Sequence, residues 1–215
     1  MVNDRHYSVT DFFCLSADQI LRTLLNNPKT TGRSYPAQFI SESSLTEVQC
    51  KHSAALMRIN HAGEVCAQAL YHGQAIASKN PVIKHSMQQA AIEEGDHLTW
   101  CRMRLVELGS HTSYLNPLWY VGAFTLGLLA GLIGDQWSLG FLAETEKQVV
   151  EHLEHHLNAL APEDKRSKKI LQQMQWDEAE HRDTALAEGA KILPAFMQKW
   201  MKITSKVMVK VAYWF

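Results

Sequence analysis

Two segments, EEGDH at 93–97 and DEAEH at 177–181, each contain Glu-x-x-His and stand at matching points of two long helical stretches. A Glu and a His three residues apart share one helix face. One such pair is ordinary on a helix surface. Two of them point to a shared interior site only if each has a partner carboxylate at its own depth, so the turns that join the helices decide the reading.

Ser44 and Glu47 form an S-x-x-E capping box, and no proline interrupts the run from Leu45 to Lys79. Asn80-Pro81 then breaks it. Pro81 suits the first turn of a second helix, expected to run to Leu108 and stop at Gly109. Glu64 lies 16 residues before residue 80 and Glu94 lies 14 after it. At the helical rise they stand about 24 and about 21 Å from the turn, nearly level.

A third helix is expected from about Asp135 or Ser138 to Leu160, and a fourth from the Ala161-Pro162 turn to about Glu188. Glu146 lies 15 residues before Ala161, and Glu178 lies 17 after it. The chain therefore repeats one pattern: Glu64 with Glu94-x-x-His97, then Glu146 with Glu178-x-x-His181. Glu146 is favoured over Glu144 because its helical neighbours Leu139, Leu142, Ala143, Val149, Val150 and Leu153 form an apolar stripe, whereas Glu144 has mostly polar ones.

Four buried carboxylates and two neutral imidazoles balance two divalent cations, since a buried carboxylate without a counter-charge must take a proton or a cation. Oxygen and nitrogen donors without thiolates disfavour an iron–sulfur cluster or a thiolate-bound zinc. Two iron ions per chain suit redox chemistry, and manganese stays open. Glu94 and Glu178 are the expected bridges. His61, one turn before Glu64, and His152, six residues after Glu146, are expected to steady a carboxylate, with a partly exposed helix histidine as the alternative for each. Tyr71 is read either as core or as channel lining. EHLEHH at 151–156 reads as a solvated helix end rather than a separate zinc site.

These elements predict an all-α, ferritin-like four-helix bundle over 45–215, preceded by an arm at 1–44 with a short helix at 12–25. The segment 110–134 must cross between the hairpins and is long enough to carry its own helix. Its uncharged stretch from 112 to 134 reads as a membrane-embedded or interface-lying helix, with a wholly internal apolar helix as the alternative; a span is disfavoured by the glycines at 122, 127, 131 and 134 and because it would part the two hairpins. The C-terminal segment 191–215 carries Lys191, Lys199, Lys202, Lys206 and Lys210 and no acidic residue, and ends Tyr213-Trp214-Phe215. It reads as a basic amphipathic membrane-surface anchor, with a helix closing the bundle end as the alternative.

Composition bounds the rest. With 46% hydrophobic and 20% charged residues, 215 residues make one folded domain. A net charge of -1 gives no general attraction for nucleic acid. Cys14, Cys50, Cys66 and Cys101 form no C-x-x-C pair and read as reduced thiols. The opening MVNDRHYSVTDFF has no charged-then-apolar signal pattern, so the bulk of the chain is expected to stay in the cytoplasm.

RINHAGE at 58–64, AIEEGDHL at 91–98, GFLAETEKQVVEHL at 140–153 and WDEAEH at 176–181 resemble the four signature regions of the demethoxyubiquinone hydroxylase family. The resemblance covers nearly all the chain after residue 45. It implies a di-iron monooxygenase of ubiquinone biosynthesis that hydroxylates a polyprenyl benzoquinol with O2. It also implies a peripheral place on the cytoplasmic side of the inner membrane. The family's ligands fall on Glu64, Glu94, His97, Glu146, Glu178 and His181, and its third-helix histidine falls on His152. Asn60 stands where the motif is often written with Asp, and Lys147 where a second Glu is common. Partners so implied are the quinol, O2, the membrane surface, other ubiquinone-biosynthesis proteins and a second copy of the chain. Another di-iron quinol oxidase or peroxidase, or an iron-storage protein, remains the alternative.

Overall fold

A computed structural model describes residues 8–25 and 27–215, without the side chains of Val9 and Phe12. Residues 1–7, and with them part of the stretch read for a targeting signal, lie outside the described residues. Seven helices and no strand occur among the described residues: α1 (Val9–Leu24), α2 (Glu47–Ala77), α3 (Pro81–Glu107), α4 (Asn116–Ile133), α5 (Asp135–Ala159), α6 (Lys165–Ala187) and α7 (Ala195–Ala212).

The hairpin turns form as their sequences dictate. The Asn80 side chain accepts from the Val82 amide, and Pro81 occupies the first turn of α3, where a missing N–H costs nothing. Asp164 caps α6 through the Ser167 amide. The start of α2 differs from the expected box at Ser44 and Glu47. Thr46 is the cap, with its hydroxyl accepting from the Gln49 amide while Gln49 Oε1 accepts from the Thr46 amide. Gln closes such a box as well as Glu does, so the local sequence held two boxes and the register two residues on prevailed.

α2 pairs with α3, α5 pairs with α6, and α3 packs on α6 to join the hairpins. α2, α3, α5 and α6 each contribute to two apolar clusters. The first gathers Met57, Cys101, Leu153, Ile170, Leu171 and Met174. The second gathers Leu70, Met87, Leu139, Leu142 and Ala185 toward the α2–α3 turn, at the end of the bundle away from the α5–α6 turn. Burying side chains of this size contributes about 1.5–3 kcal/mol each. Glu64, Glu94, His97, Glu146, Glu178 and His181 fall between the two clusters on every helix, a polar layer closed above and below by hydrocarbon.

The crossover carries α4, which lies along α2. Gly127 of α4 sits against the Leu70 backbone, and Gly73 of α2 faces the Phe124 carbonyl so closely that any Cβ there would collide. Gly131 likewise lies against Ala77 and Gln74 of α2, so two of the glycines that disfavour a span serve helix contact. α4 is long and apolar enough to cross a membrane, and only 28% of it is buried. Leu118, Val121, Leu129, Leu132 and Ile133 face outward. Arg58 fastens the ends of both additions: its guanidinium donates to the His111 carbonyl, the Ser110 hydroxyl and the Tyr213 carbonyl.

The arm is more than a docking strap. Arg104, fully buried, is held by Glu42 of the arm together with Glu107 and Asp164. The Lys29 carbonyl passes so close to α3 that only a glycine fits at position 95.

Candidate metal centre

The layer between the clusters brings all six sequence-selected side chains to one place. Glu64, Glu94, His97 and Glu178 each offer a ligand atom, and those atoms lie within 4.8 Å of one another. The His97 Nδ1 is 3.0 Å from Glu94 Oε2 and 3.1 Å from Glu178 Oε1. The His181 Nδ1 is 3.0 Å from Glu94 Oε1 and 3.4 Å from Glu178 Oε2. Each of these two glutamates thus turns one oxygen toward each imidazole. Glu64 completes the His97 side at 3.6 Å. Glu146 belongs with Glu178 and His181, whose charges act on it, and it accepts from the Tyr71 hydroxyl at 3.1 Å.

The imidazoles are fixed from behind by residues that the sequence reading did not select. His97 Nε2 meets Asp177 at 2.8 Å, and His181 Nε2 meets Glu93 at 2.8 Å. The acidic residue before each Glu-x-x-His therefore holds the histidine of the other hairpin. Acidic doublets, Glu93-Glu94 and Asp177-Glu178, were the available signal. Arg33 of the arm extends the support, pairing with Asp96 at 2.9 Å and with Asp177 at 2.8 Å. Orienting the ring through its outer nitrogen is how ligating histidines are commonly aimed.

His61 is fully buried, and burial pushes its pKa down to about 3. His152 packs its ring 3.9 Å from that of His156. His156 is buried and bonds Asn60 Oδ1 through Nδ1 at 2.9 Å. Only part of EHLEHH is therefore a solvated helix end. His152 and His156 turn inward because the end of α5 packs on α2, a contact that local spacing does not reveal. The cluster of Glu64, Glu94, His97 and Glu178 is the one metal-capable group of this kind among the described residues.

Electrostatics explain why this layer wants cations. Burial pushes the Glu64 and Glu146 carboxyls well above the ordinary range, and the charges of Glu94 and Glu178 add to it. Burial acts the same way on Glu94 and Glu178, but His97 and His181 override it and hold both below the usual value. The surrounding carboxylates raise both imidazoles in turn, against burial. Protons thus supply the positive charge that the carboxylates require. Glu64 Oε2, Glu94 Oε1, Glu178 Oε2 and His181 Nδ1 have no aligned hydrogen-bond partner despite their closeness. Crowded lone pairs without donors between them fit a shared cation, and the cluster can bind metal.

Residues 51–212 match the family model described as "Ubiquinone biosynthesis protein COQ7". The chain belongs to the COQ7 family. The chain is similar to three relatives named 3-demethoxyubiquinol 3-hydroxylase. That of Nitrosococcus oceani is 50% identical over 210 residues, 98% of each chain. That of Acinetobacter baumannii is 52% identical over 98% of this chain and 99% of its own. That of Coxiella burnetii is 50% identical over 99% of this chain and 98% of its own. The matched span holds α3, α5 and α6 whole, α2 from residue 51 onward, and every residue of the buried layer.

A cavity of about 510 Å³ ends on this layer. Glu64, Glu146 and Glu178 form its floor, with Leu70, Leu126, Phe141 and Val149 in its walls. Its outer lining includes Leu118 of α4 and Trp200, Thr204 and Ser205 of α7, all exposed, so the mouth lies between these two helices. A second cavity, about 710 Å³, reaches His181 and Glu93 from the α3–α6 side and is lined by Glu180, Asp183 and Glu188.

Proposed function

We propose that this protein is an O2-dependent monooxygenase, a 3-demethoxyubiquinol 3-hydroxylase, whose substrate enters through the α4–α7 mouth and meets the metal layer at the cavity floor. The observation that carries this reading is the apolar cavity that ends on Glu64, Glu146 and Glu178. The shared name of relatives that are half identical along the whole chain supports it.

Glu64, Glu94, His97, Glu146, Glu178 and His181 would hold two irons, with Glu94 and Glu178 shared between them. When bound, the irons supply the redox and oxygen-activating chemistry that the side chains lack. The protein's part is positioning. Asp177 and Glu93 keep His97 and His181 aimed inward through their outer nitrogens. The Tyr71 hydroxyl steadies Glu146. Apolar walls exclude water from the ring and give the polyprenyl tail a path outward. His61 and His152 act as nearby support, with His152 in the cavity wall.

The catalytic unit is the span 45–215, with 1–44 as its arm and 112–134 and 191–215 as the membrane-associating parts. The protein sits peripherally on the cytoplasmic side of the cell membrane. Leu118 of α4 and Trp200 of α7 line the same mouth, and exposed Phe196, Ile203 and Val207 share α7 with the exposed lysines 199, 202, 206 and 210. Such a surface suits lipid with anionic headgroups. A tailed quinol would then reach the mouth without leaving the bilayer.

The test is metal analysis followed by substitution. The purified chain should carry about two irons, and Glu146→Gln should abolish ring hydroxylation, followed by mass spectrometry of the quinol. A metal-free wild type with full activity, or an iron-loaded one that leaves the ring unchanged, would overturn the reading.

A further inference from the structure

His97 and His181 are each held through Nε2 by a carboxylate of the opposite hairpin, but the two holds are unequal. Asp177, behind His97, is only 3% exposed. Its Oδ2 accepts from His97 and from Arg33, each at 2.8 Å, and its Oδ1 accepts from Gln173 at 2.9 Å. Arg33 is secured in turn. It pairs with buried Asp96 at 2.9 Å and lies over the Trp100 ring at 4.9 Å, while Asp96 also accepts from the Thr31 amide and hydroxyl. Withdrawing Arg33 would strand two buried carboxylates, so the arm locks the support of His97 in place.

Behind His181 the hold is looser. The Glu93 side chain is 42% exposed, and among the described residues no hydrogen bond or ion pair holds it besides the one to His181 at 2.8 Å. Water can take the place of the imidazole at such a carboxylate, as it does at exposed ion pairs generally. His181 keeps 10% of its own side chain exposed where His97 keeps none. Both Glu93 and His181 line the cavity of about 710 Å³ between α3 and α6, and no lysine or arginine lines it with them. A hydrated dication meets no fixed positive side chain there. The α4–α7 cavity also ends on the layer, but its hydrocarbon walls disfavour a charged ion.

We propose that the two metal positions hold their ions unequally: the one beside His97 and Glu64 is fixed by the arm through Arg33 and Asp177, and the one beside His181 and Glu146 is exchangeable, its ion entering and leaving by the α3–α6 cavity as Glu93 swings off His181. This rests on the two-iron reading, and it adds an order of filling and a route. Arg33 is a positioning residue, acting on His97 through Asp177. A chain short of iron keeps the ion beside His97 and loses the other. Metal and quinol use separate passages, so iron can be replaced while the apolar cavity stays filled.

The iron-loaded full chain, kept free of O2 and quinol, is mixed with an excess of a water-soluble ferrous chelator, and release is followed by the colour of the chelate. Wild type should lose its iron in two phases of about one iron each. Arg33→Gln should speed the slow phase about tenfold and leave the fast one, whereas Glu93→Gln should speed the fast phase about tenfold and leave the slow one. A general loosening of the fold would move both phases together. Thr184→Trp, on the exposed lining of the α3–α6 cavity, should slow the fast phase several-fold at wild-type iron content. A single phase for both irons in wild type, equal acceleration of both phases by either glutamine variant, or a Thr184→Trp fast phase equal to wild type would overturn the proposal. If Arg33→Gln fails to fold, Glu93→Gln and Thr184→Trp decide. A wild type that takes up no iron, or only one, would instead sink the two-iron reading itself.

Discussion

Asp177 shows how much of the centre is built by residues that would never bind the metal. It accepts from His97 Nε2 and from Arg33, so it fixes one imidazole and is itself fixed by the arm. Replacing it by Asn keeps the shape but weakens the acceptor and leaves the His97 tautomer less defined. We expect Asp177→Asn to lower iron affinity or activity by about 10- to 100-fold, measured by competition with a calibrated chelator. An unchanged affinity would mean that the ring is held by packing alone. The six inward side chains were legible from spacing, because helix rise converts residue number into depth. Asp177 and Glu93 were not, since which histidine an acidic neighbour reaches depends on how one hairpin docks on the other. Glu146 is buried, as its apolar neighbours indicate, whereas Glu144 lies at the edge and pairs with Lys147.

Among the elements, α2 carries the heaviest duty, packing against α1, α3, α4 and α7 while presenting Glu64. Its approach to α4 depends on Gly73 and Gly127, where backbones nearly touch. Gly127→Val would force the helices apart, and overpacking of this kind costs about 1–3 kcal/mol. Urea unfolding should show the lower midpoint, and quinol binding should weaken as well because α4 forms one wall of the cavity. A midpoint equal to wild type would show that the crossover moves freely on α2. Helix ends were readable to within a few residues from Asn80, Pro81 and Gly109. The reach of the arm to Asp96, Asp177 and Arg104 was not readable, because irregular backbone carries no period to follow.

For the whole molecule, acidity is the sensitive variable. Burial pushes His72, which bonds the Tyr120 hydroxyl at 2.8 Å, down to a pKa of about 4, and His156 down to about 3. An unfolded histidine titrates near 6.5. Between those values the unfolded chain binds the extra protons, so stability is full above about pH 6.5 and declines as the pH falls, levelling only below the folded values. Each such histidine contributes a loss on the order of 3–5 kcal/mol over the full window. His72→Gln should flatten part of the decline in a series of thermal melts from pH 7 to pH 4. A profile identical to wild type would show that His72 is already charged in the folded state.

Arg58 has a consequence for the opening between α4 and α7. Because one guanidinium grips the chain just before α4 and the last turn after α7, the two greasy prongs are bolted to a single plate. Both are tied to one point, which holds the gap between them at its width. A tailed guest then meets a doorway of constant size, framed on both jambs by residues answering to the same bolt.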